Sequence, residues 1–85
     1  MKGFVYILIS LKDNKQYIGS SINPTKRLHQ HNQGNVISTR NRRPFELKYI
    51  IEFENIAIAT NMERKFKRSH DALKREVSKR GIIQT

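Results

Sequence analysis

The chain has 85 residues, which suits one compact domain over residues 1–85 and leaves no room for a second. Seventeen Lys and Arg against seven Asp and Glu give a formal net charge of +10, an excess that favours a polyanionic partner, nucleic acid first of all. Cysteine is absent, which excludes disulfide scaffolds and thiolate metal sites, and no apolar run is long enough for a membrane span or an export signal. We expect an intracellular, cytoplasmic domain that does not bind membranes.

The first predicted element is a β-hairpin. A β-branched and aromatic run over residues 4–11 is followed by a polar segment and then by a second strand-like run, Gln16–Gly19. The pair Asp13-Asn14 between two such runs is typical of a two-residue hairpin turn. The pattern therefore predicts two antiparallel strands joined at these two residues.

Two tyrosines lie on one face of this hairpin. A turn centred on Asp13-Asn14 places Tyr6 opposite Ser21, and Tyr17 on the same face about 13 Å further along the strands. Gly19 lies between them and leaves room for a group to approach the backbone closely. Either the hydroxyl groups converge through strand twist, or both rings simply cover the sheet.

A helix is predicted next. Asn23 is a suitable N-cap residue and Pro24 is favoured at the first helical position, so the helix should run to about Asn32. Gly34 is a natural helix stop.

Arg27 and His31 are four residues apart on this helix and therefore share a face, with Leu28 on the opposite, buried side. Arginine offers a forked donor to phosphate oxygens, and histidine transfers protons near neutral pH. The alternative is that both residues belong to an ordinary solvated face.

The second half of the chain predicts a basic loop over 35–44, a third strand over Leu47–Phe53 and a longer helix from Ile56. This helix weakens or breaks near Ser69-His70. Its apolar residues recur at roughly helical spacing: Ala59, Met62, Phe66, Leu73 and Val77. The element order is β-β-α-β-α, which gives an α+β fold with a three-stranded, mostly antiparallel sheet flanked by helices.

Glu63 stands at the rim of that apolar stripe, in a strongly cationic neighbourhood formed by Arg64, Lys65, Lys67 and Arg68. Its carboxylate could be the partner of one of these cations. It could instead hold Mg²⁺, which often binds through one or two carboxylates and takes further ligands from water and substrate phosphates.

The ordered set of motifs resembles the GIY-YIG nuclease superfamily, in particular small stand-alone members similar to the N-terminal nuclease domain of UvrC-type repair proteins. The half-motifs are Phe4-Val5-Tyr6 and Tyr17-Ile18-Gly19. The further matching positions, in chain order, are Pro24, Lys26-Arg27-Leu28, His31-Asn32, Gly34, Arg42-Arg43-Pro44-Phe45 and Glu63.

This resemblance implies a metal-dependent DNA endonuclease of low sequence specificity, with Mg²⁺ or Mn²⁺ as cofactor and a place in DNA repair or recombination. Glu63 would be the metal ligand, Tyr6 the general base, and Tyr17 a residue that assists it. Arg27 would stabilise charge on the scissile phosphate, and His31 stands where some members place a proton-transfer residue.

Duplex, branched or nicked DNA would be held by basic side chains, with targeting left to a protein partner. The candidates for phosphate contact are Arg40, Arg42, Arg43, Lys65 and Arg68. Neither the oligomeric state nor the pathway follows from the sequence.

Two departures from the family pattern support an alternative function. Phe4 replaces the glycine of the first half-motif, and no asparagine follows Asn61, whereas many members carry one near the end of the domain. The alternative is a nucleic-acid-binding module that keeps the scaffold and has lost effective turnover.

Overall fold

An antiparallel sheet lies between helices on both of its faces. The computed structural model describes residues 1–80 and the backbone of residues 82–83. The elements are β1 (Gly3–Ser10), β2 (Gln16–Ser21), α1 (Pro24–Gln33), a 3₁₀ turn (Arg40–Arg42), β3 (Phe45–Phe53), α2 (Ile56–Arg68), α3 (His70–Arg80) and β4 (Ile82–Ile83). The strand order is β2-β1-β3-β4, so β1 is central and β2 is at one edge. The α+β fold class is confirmed.

A β-bulge in β3 distributes its side chains over both faces of the sheet. Ile7 pairs with Tyr49 but Leu8 pairs with Leu47, so Lys48 has no partner in β1. In a regular strand all odd-numbered residues from 45 to 53 would share one face, whereas the extra residue reverses the alternation at this point.

The larger core lies between the sheet and the pair α2–α3. Its buried members are Val5, Ile7, Ile18, Ile51, Phe53, Ala59, Phe66 and Leu73. Met62 and Val77 pack against it, so the predicted apolar stripe of the second helix is confirmed. Each fully buried Ile or Phe side chain contributes about 1.5–3 kcal/mol, which makes this face the main source of stability.

A smaller core lies on the other face, under α1. It contains Tyr6, Leu8 and Phe45, with Leu28 packed against it. Leu28 anchors α1 to this core as predicted. The prediction that it lies opposite His31 is wrong, because His31 is also buried and contacts Tyr6 of the same core.

The hairpin loop is longer than the predicted two-residue turn. It covers residues 11–15, and Asn14 adopts a positive φ of 61°. The Ser10 hydroxyl accepts hydrogen bonds from the backbone N–H groups of Lys12 and Asp13, and the Ser10 carbonyl accepts one from Asn14. These bonds within the loop stabilise five connecting residues instead of two.

The predicted register of the hairpin is consequently wrong by two residues. Tyr6 lies opposite Gly19 instead of Ser21, and Leu8 lies opposite Tyr17. A shift of two preserves the face on which each side chain lies, so the two tyrosines still share one face. Tyr17 is now only two residues from the position opposite Tyr6.

The predicted helix boundaries of α1 are confirmed to within one residue. The Asn23 side chain accepts a hydrogen bond from the Lys26 N–H, Pro24 begins the helix, and Gly34 ends it with φ 81°. These signals are local, which is why the sequence contains them.

The break predicted near Ser69-His70 is also confirmed. Ser69 has extended backbone angles between α2 and α3, and its hydroxyl accepts a hydrogen bond from the Ala72 N–H at the start of α3. β3 begins two residues before the predicted Leu47, and the two-residue strand β4, which pairs with β3, was not predicted.

Candidate active site at the edge of the sheet

The two tyrosines meet on the α1 face of the sheet. The ring centroids of Tyr6 and Tyr17 are 6.4 Å apart. Tyr6 lies across Gly19, where a Cβ atom would come within 2.5 Å of the Tyr6 hydroxyl oxygen. Gly19 is therefore needed so that the Tyr6 ring can lie flat over the neighbouring strand. The Tyr6 ring is buried, so for this residue the interpretation that the ring covers the sheet holds. The Tyr17 ring lies beside it and is half-buried.

His31 joins this pair from α1 and is completely buried, so its predicted alternative as part of a solvated face is wrong. Its Nε2 atom lies 3.2 Å from the Tyr6 hydroxyl, and its Nδ1 atom lies 2.7 Å from Thr39 Oγ1. The Thr39 hydroxyl can donate to the Val36 carbonyl oxygen, 3.4 Å away. When the Thr39 hydroxyl donates to Val36, the His31 Nδ1–H group donates a hydrogen bond to Thr39 Oγ1. The His31 Nε2 atom then accepts a hydrogen bond from the Tyr6 hydroxyl.

The environment favours neutral forms of both groups. Burial, and secondarily the Arg27 charge, lowers the pKa of His31 from 6.5 to about 4. Burial also raises the pKa of Tyr6, although a hydrogen bond from Arg27 opposes this change. At neutral pH the site therefore holds a phenol and a neutral imidazole.

Arg27 is half-buried beside the Tyr6 hydroxyl, and its guanidinium also donates to Gln30 at 2.9 Å. It shares the α1 face with His31, as the spacing predicted. Its permanent positive charge can compensate the negative charge of a phenolate at Tyr6 or of an anion bound over it.

Glu63 reaches the site around the β2 edge from the opposite face. Its Oε1 atom accepts a hydrogen bond from the Ser20 hydroxyl at 2.6 Å, and its Oε2 atom lies 2.7 Å from Lys67 Nζ. The same Nζ atom lies 6.0 Å from the centroid of the Tyr17 ring. The Glu63 side chain is 17% exposed and its charge contributes to the raised pKa of Tyr6. The charge of Glu63 therefore acts on Tyr6, and the ammonium paired with Glu63 lies beside the Tyr17 ring.

Glu63 is the acidic residue of this site that could hold a divalent cation. Within residues 1–80 and 82–83, no group of three or more His, Asp or Glu side chains could enclose an ion. Glu63, whose carboxylate is oriented by Ser20, could supply a single protein ligand to Mg²⁺, which commonly binds through one or two carboxylates and takes further ligands from water and phosphate.

The predicted phosphate contacts do not all lie free at the surface. Arg42 donates to both carboxylate oxygens of Asp13 and to the carbonyl oxygens of Lys15 and Gln16. This arrangement holds the pKa of Asp13 well below its usual range and fastens the hairpin loop to the 3₁₀ turn. The geometry gives Arg42 a structural role, so a direct phosphate contact is not supported.

The other four predicted contacts are exposed but point in different directions. Arg40 donates to the Gly34 carbonyl oxygen at 3.0 Å, and the guanidinium of Arg43 lies over Gly34, so both are near the end of α1. Lys65 lines a groove of about 360 Å³ between α2 and α3, whereas Arg68 is outside it. Lys65 therefore lies on a different side of α2 from Glu63.

Sequence reasoning missed three residues that hold the site. Thr39 binds His31, Ser20 binds Glu63, and Lys67 was named only as one of several nearby cations. Ser20 directly follows the second half-motif, which could have drawn attention to it. Thr39 lies in a polar loop and gives no local signal.

Comparison with known proteins identifies relatives along nearly the whole chain. The family model described as the GIY-YIG catalytic domain matches residues 2–76. The chain is also 33% identical over 87 aligned positions to a "UPF0213 protein" of Pediococcus pentosaceus, which covers 100% of this chain and 92% of that relative. No solved structure gives a significant match. In the part of the chain that the structure describes, no helix has the length and apolar character to cross a bilayer.

Proposed function

The chain belongs to the GIY-YIG family of nuclease domains, and on that premise we propose that it is a divalent-metal-dependent DNA endonuclease with low intrinsic sequence specificity. The main support is the convergence of Tyr6, Tyr17, Arg27 and Glu63, from four separate elements, around the edge strand β2. Phosphodiester hydrolysis needs an activated water and compensation of negative charge, and these side chains are of the types that provide them.

Tyr6 is the proposed general base. Its hydroxyl oxygen takes a proton from the attacking water while its own proton moves toward His31 Nε2, 3.2 Å away. Because the free site favours the phenol and the neutral imidazole, this transfer needs a cation close to the phenolic oxygen, and the negative charge of the bound phosphate to favour the imidazolium form of His31. Thr39 keeps the imidazole ring in the orientation that presents Nε2 to Tyr6.

The charge compensation is proposed to come from both sides of β2. Arg27 binds a non-bridging oxygen of the scissile phosphate from the α1 side, and the Tyr17 hydroxyl orients the water. Glu63, oriented by Ser20, would hold Mg²⁺ or Mn²⁺. When bound there, a divalent cation compensates the negative charge of the phosphate and lowers the pKa of the nearby Tyr6.

DNA is proposed to contact the exposed arginines at the end of α1, Arg40 and Arg43, and Arg68 on α2. These residues would hold the phosphate backbone of duplex, branched or nicked DNA without reading its sequence, so specificity would come from a protein partner. Lys65 is proposed as an additional contact on the α3 side of α2.

The test is incubation of the purified protein with supercoiled plasmid, with EDTA, Mg²⁺ or Mn²⁺. We expect nicking that requires the metal, is lost in Glu63→Gln and Arg27→Ala, and persists in Glu46→Gln, which removes an exposed carboxylate of β3 as a matched control. Salt-sensitive binding without nicking under any metal would support a binding module instead. Equal nicking by Glu63→Gln and Glu46→Gln would refute the proposed role of Glu63.

A further inference from the structure

Lys67 occupies the cation position at the Glu63 carboxylate. Its Nζ atom is 2.7 Å from Oε2, while the other carboxylate oxygen is taken by the Ser20 hydroxyl at 2.6 Å. Both oxygens are therefore engaged within the protein. A divalent cation that enters from solvent is repelled by the ammonium, so its binding favours displacement of Lys67 from the carboxylate.

Lys67 is the partner that can leave. It is one turn after Glu63 on α2, and its side chain is 49% exposed, so its ammonium can swing into water at little cost. The Ser20 hydroxyl comes from a strand and is neutral, so it can remain bound and still support a second cation on the carboxylate.

The ammonium also lies 6.0 Å from the Tyr17 ring centroid. A divalent cation that took its place on the carboxylate would be close to a phosphate held over Tyr17. The ion pair and the proposed metal site therefore compete for the same space.

We propose that Lys67 is a tethered counter-cation of the metal site, which keeps the affinity of the free protein for divalent cations low until substrate phosphates add further ligands. This inference rests on the proposed metal-binding role of Glu63. The inference implies that the divalent cation binds to Glu63 together with the DNA and binds only weakly when DNA is absent.

The size of the effect follows from the charges. Breaking an ion pair between residues four apart on a helix corresponds to about a twofold loss of affinity. Repulsion between a divalent ion and a displaced ammonium that stays about 5 Å away, roughly halved by screening at about 0.15 M salt, raises the expected effect to about tenfold. Removal of the Lys67 charge should therefore strengthen metal binding about five- to tenfold.

Isothermal titration of the DNA-free protein with Mn²⁺ at constant ionic strength tests this directly. The variants are Lys67→Met, Glu63→Gln and Lys74→Met, the last removing one charge from an exposed position of α3. We expect Lys67→Met to bind Mn²⁺ about five- to tenfold more tightly than the wild type, Lys74→Met to resemble the wild type, and Glu63→Gln to lose the site.

A second readout follows the lysine itself. This experiment uses diamagnetic Mg²⁺ in place of Mn²⁺. As Mg²⁺ is titrated to saturation, the ¹⁵N resonance of the Lys67 side-chain amine should move toward the position of an unpaired lysine. In Glu63→Gln the resonance should have that position without Mg²⁺.

The outcomes separate the two proposals. Metal binding that depends on Glu63 but is equally strong in Lys67→Met and Lys74→Met would overturn the inference and leave the metal site intact. Absence of binding in the wild type and in Lys67→Met alike would overturn the metal site, and the inference with it.

Discussion

The buried histidine makes the stability of the fold depend on pH. His31 is completely buried against aromatic rings, with Arg27 as the nearest charge, and its pKa is lowered from 6.5 to about 4. Its folded pKa is depressed, so the unfolded chain binds a proton at a higher pH than the native protein. The contribution of neutral His31 to the free energy of unfolding is fully present above pH 6.5 and is lost as the pH falls toward about 4.

The magnitude can be worked out from the two pKa values. The complete loss amounts to about 3 kcal/mol, because each pKa unit is worth about 1.4 kcal/mol. At about pH 5, where most carboxylates are still ionised, roughly 2 kcal/mol is already lost. For a domain with a total stability of about 5–10 kcal/mol, that is a large fraction.

The assay is urea unfolding at about pH 7.5 and pH 5, in which a difference of roughly 2 kcal/mol moves the midpoint by about 1–2 M. His31→Gln should remove most of this difference. His29→Gln should retain it, since His29 is an exposed residue of the same helix.

A direct NMR titration of the His31 ring covers the case in which His31→Gln does not fold. A His31 pKa near 6.5, or a pH dependence that survives in His31→Gln, would contradict the role of burial.

Three other substitutions test the packing and the binding surface. Gly19→Ala should destabilise the fold by about 1–3 kcal/mol and reduce nicking, because its Cβ would collide with the Tyr6 ring; unchanged thermal unfolding would contradict the close approach. Arg42→Ala should lower the unfolding temperature by several degrees, because it releases Asp13 and two carbonyl groups; a variant as stable as the wild type would remove its structural role. Arg43→Ala should leave the unfolding temperature unchanged, weaken binding to all DNA sequences and lower the salt slope by about one; an unchanged slope would exclude it from the interface.

The parts of the fold that were predictable are those with local causes. Asn23, Pro24 and Gly34 determine the ends of α1 through their own backbone preferences and one side-chain hydrogen bond. Ser69 interrupts the long helix in the same way, since its side chain caps α3. Such signals act over a few residues and can be recognised without the rest of the chain.

The hairpin register was not predictable because the loop is held by a distant segment. Arg42 binds Asp13 and the carbonyl oxygens at the start of β2, and the Ser10 hydroxyl donates to the Arg42 carbonyl at 2.5 Å. Asp13-Asn14 alone favours a shorter turn. The shift of two residues matters for function, since it replaces an expected separation of about 13 Å along the strands by rings whose centroids are 6.4 Å apart.

In the candidate site, too, some features were predictable from the sequence and others were not. The identities of Tyr6, Tyr17, Arg27 and Glu63 came from the ordered motifs, but their environment did not. Helical spacing placed His31 beside Arg27 and gave no sign that Thr39, from a loop, would bury it. Of the two alternatives for Glu63, the ion pair is observed, since the carboxylate is paired with Lys67, and the metal-binding role stays a proposal.

The most direct test of the proposed mechanism is single-turnover cleavage of a plasmid by Tyr6→Phe compared with Tyr49→Phe, each at saturating Mg²⁺. Both changes remove one phenolic oxygen, but Tyr49 packs against the core on the opposite face of the sheet. We predict a loss of about a hundredfold or more in Tyr6→Phe, the usual contribution of a general base, and near wild-type cleavage in Tyr49→Phe. Equal rates in the two variants would contradict the assignment of the reaction to the edge of β2.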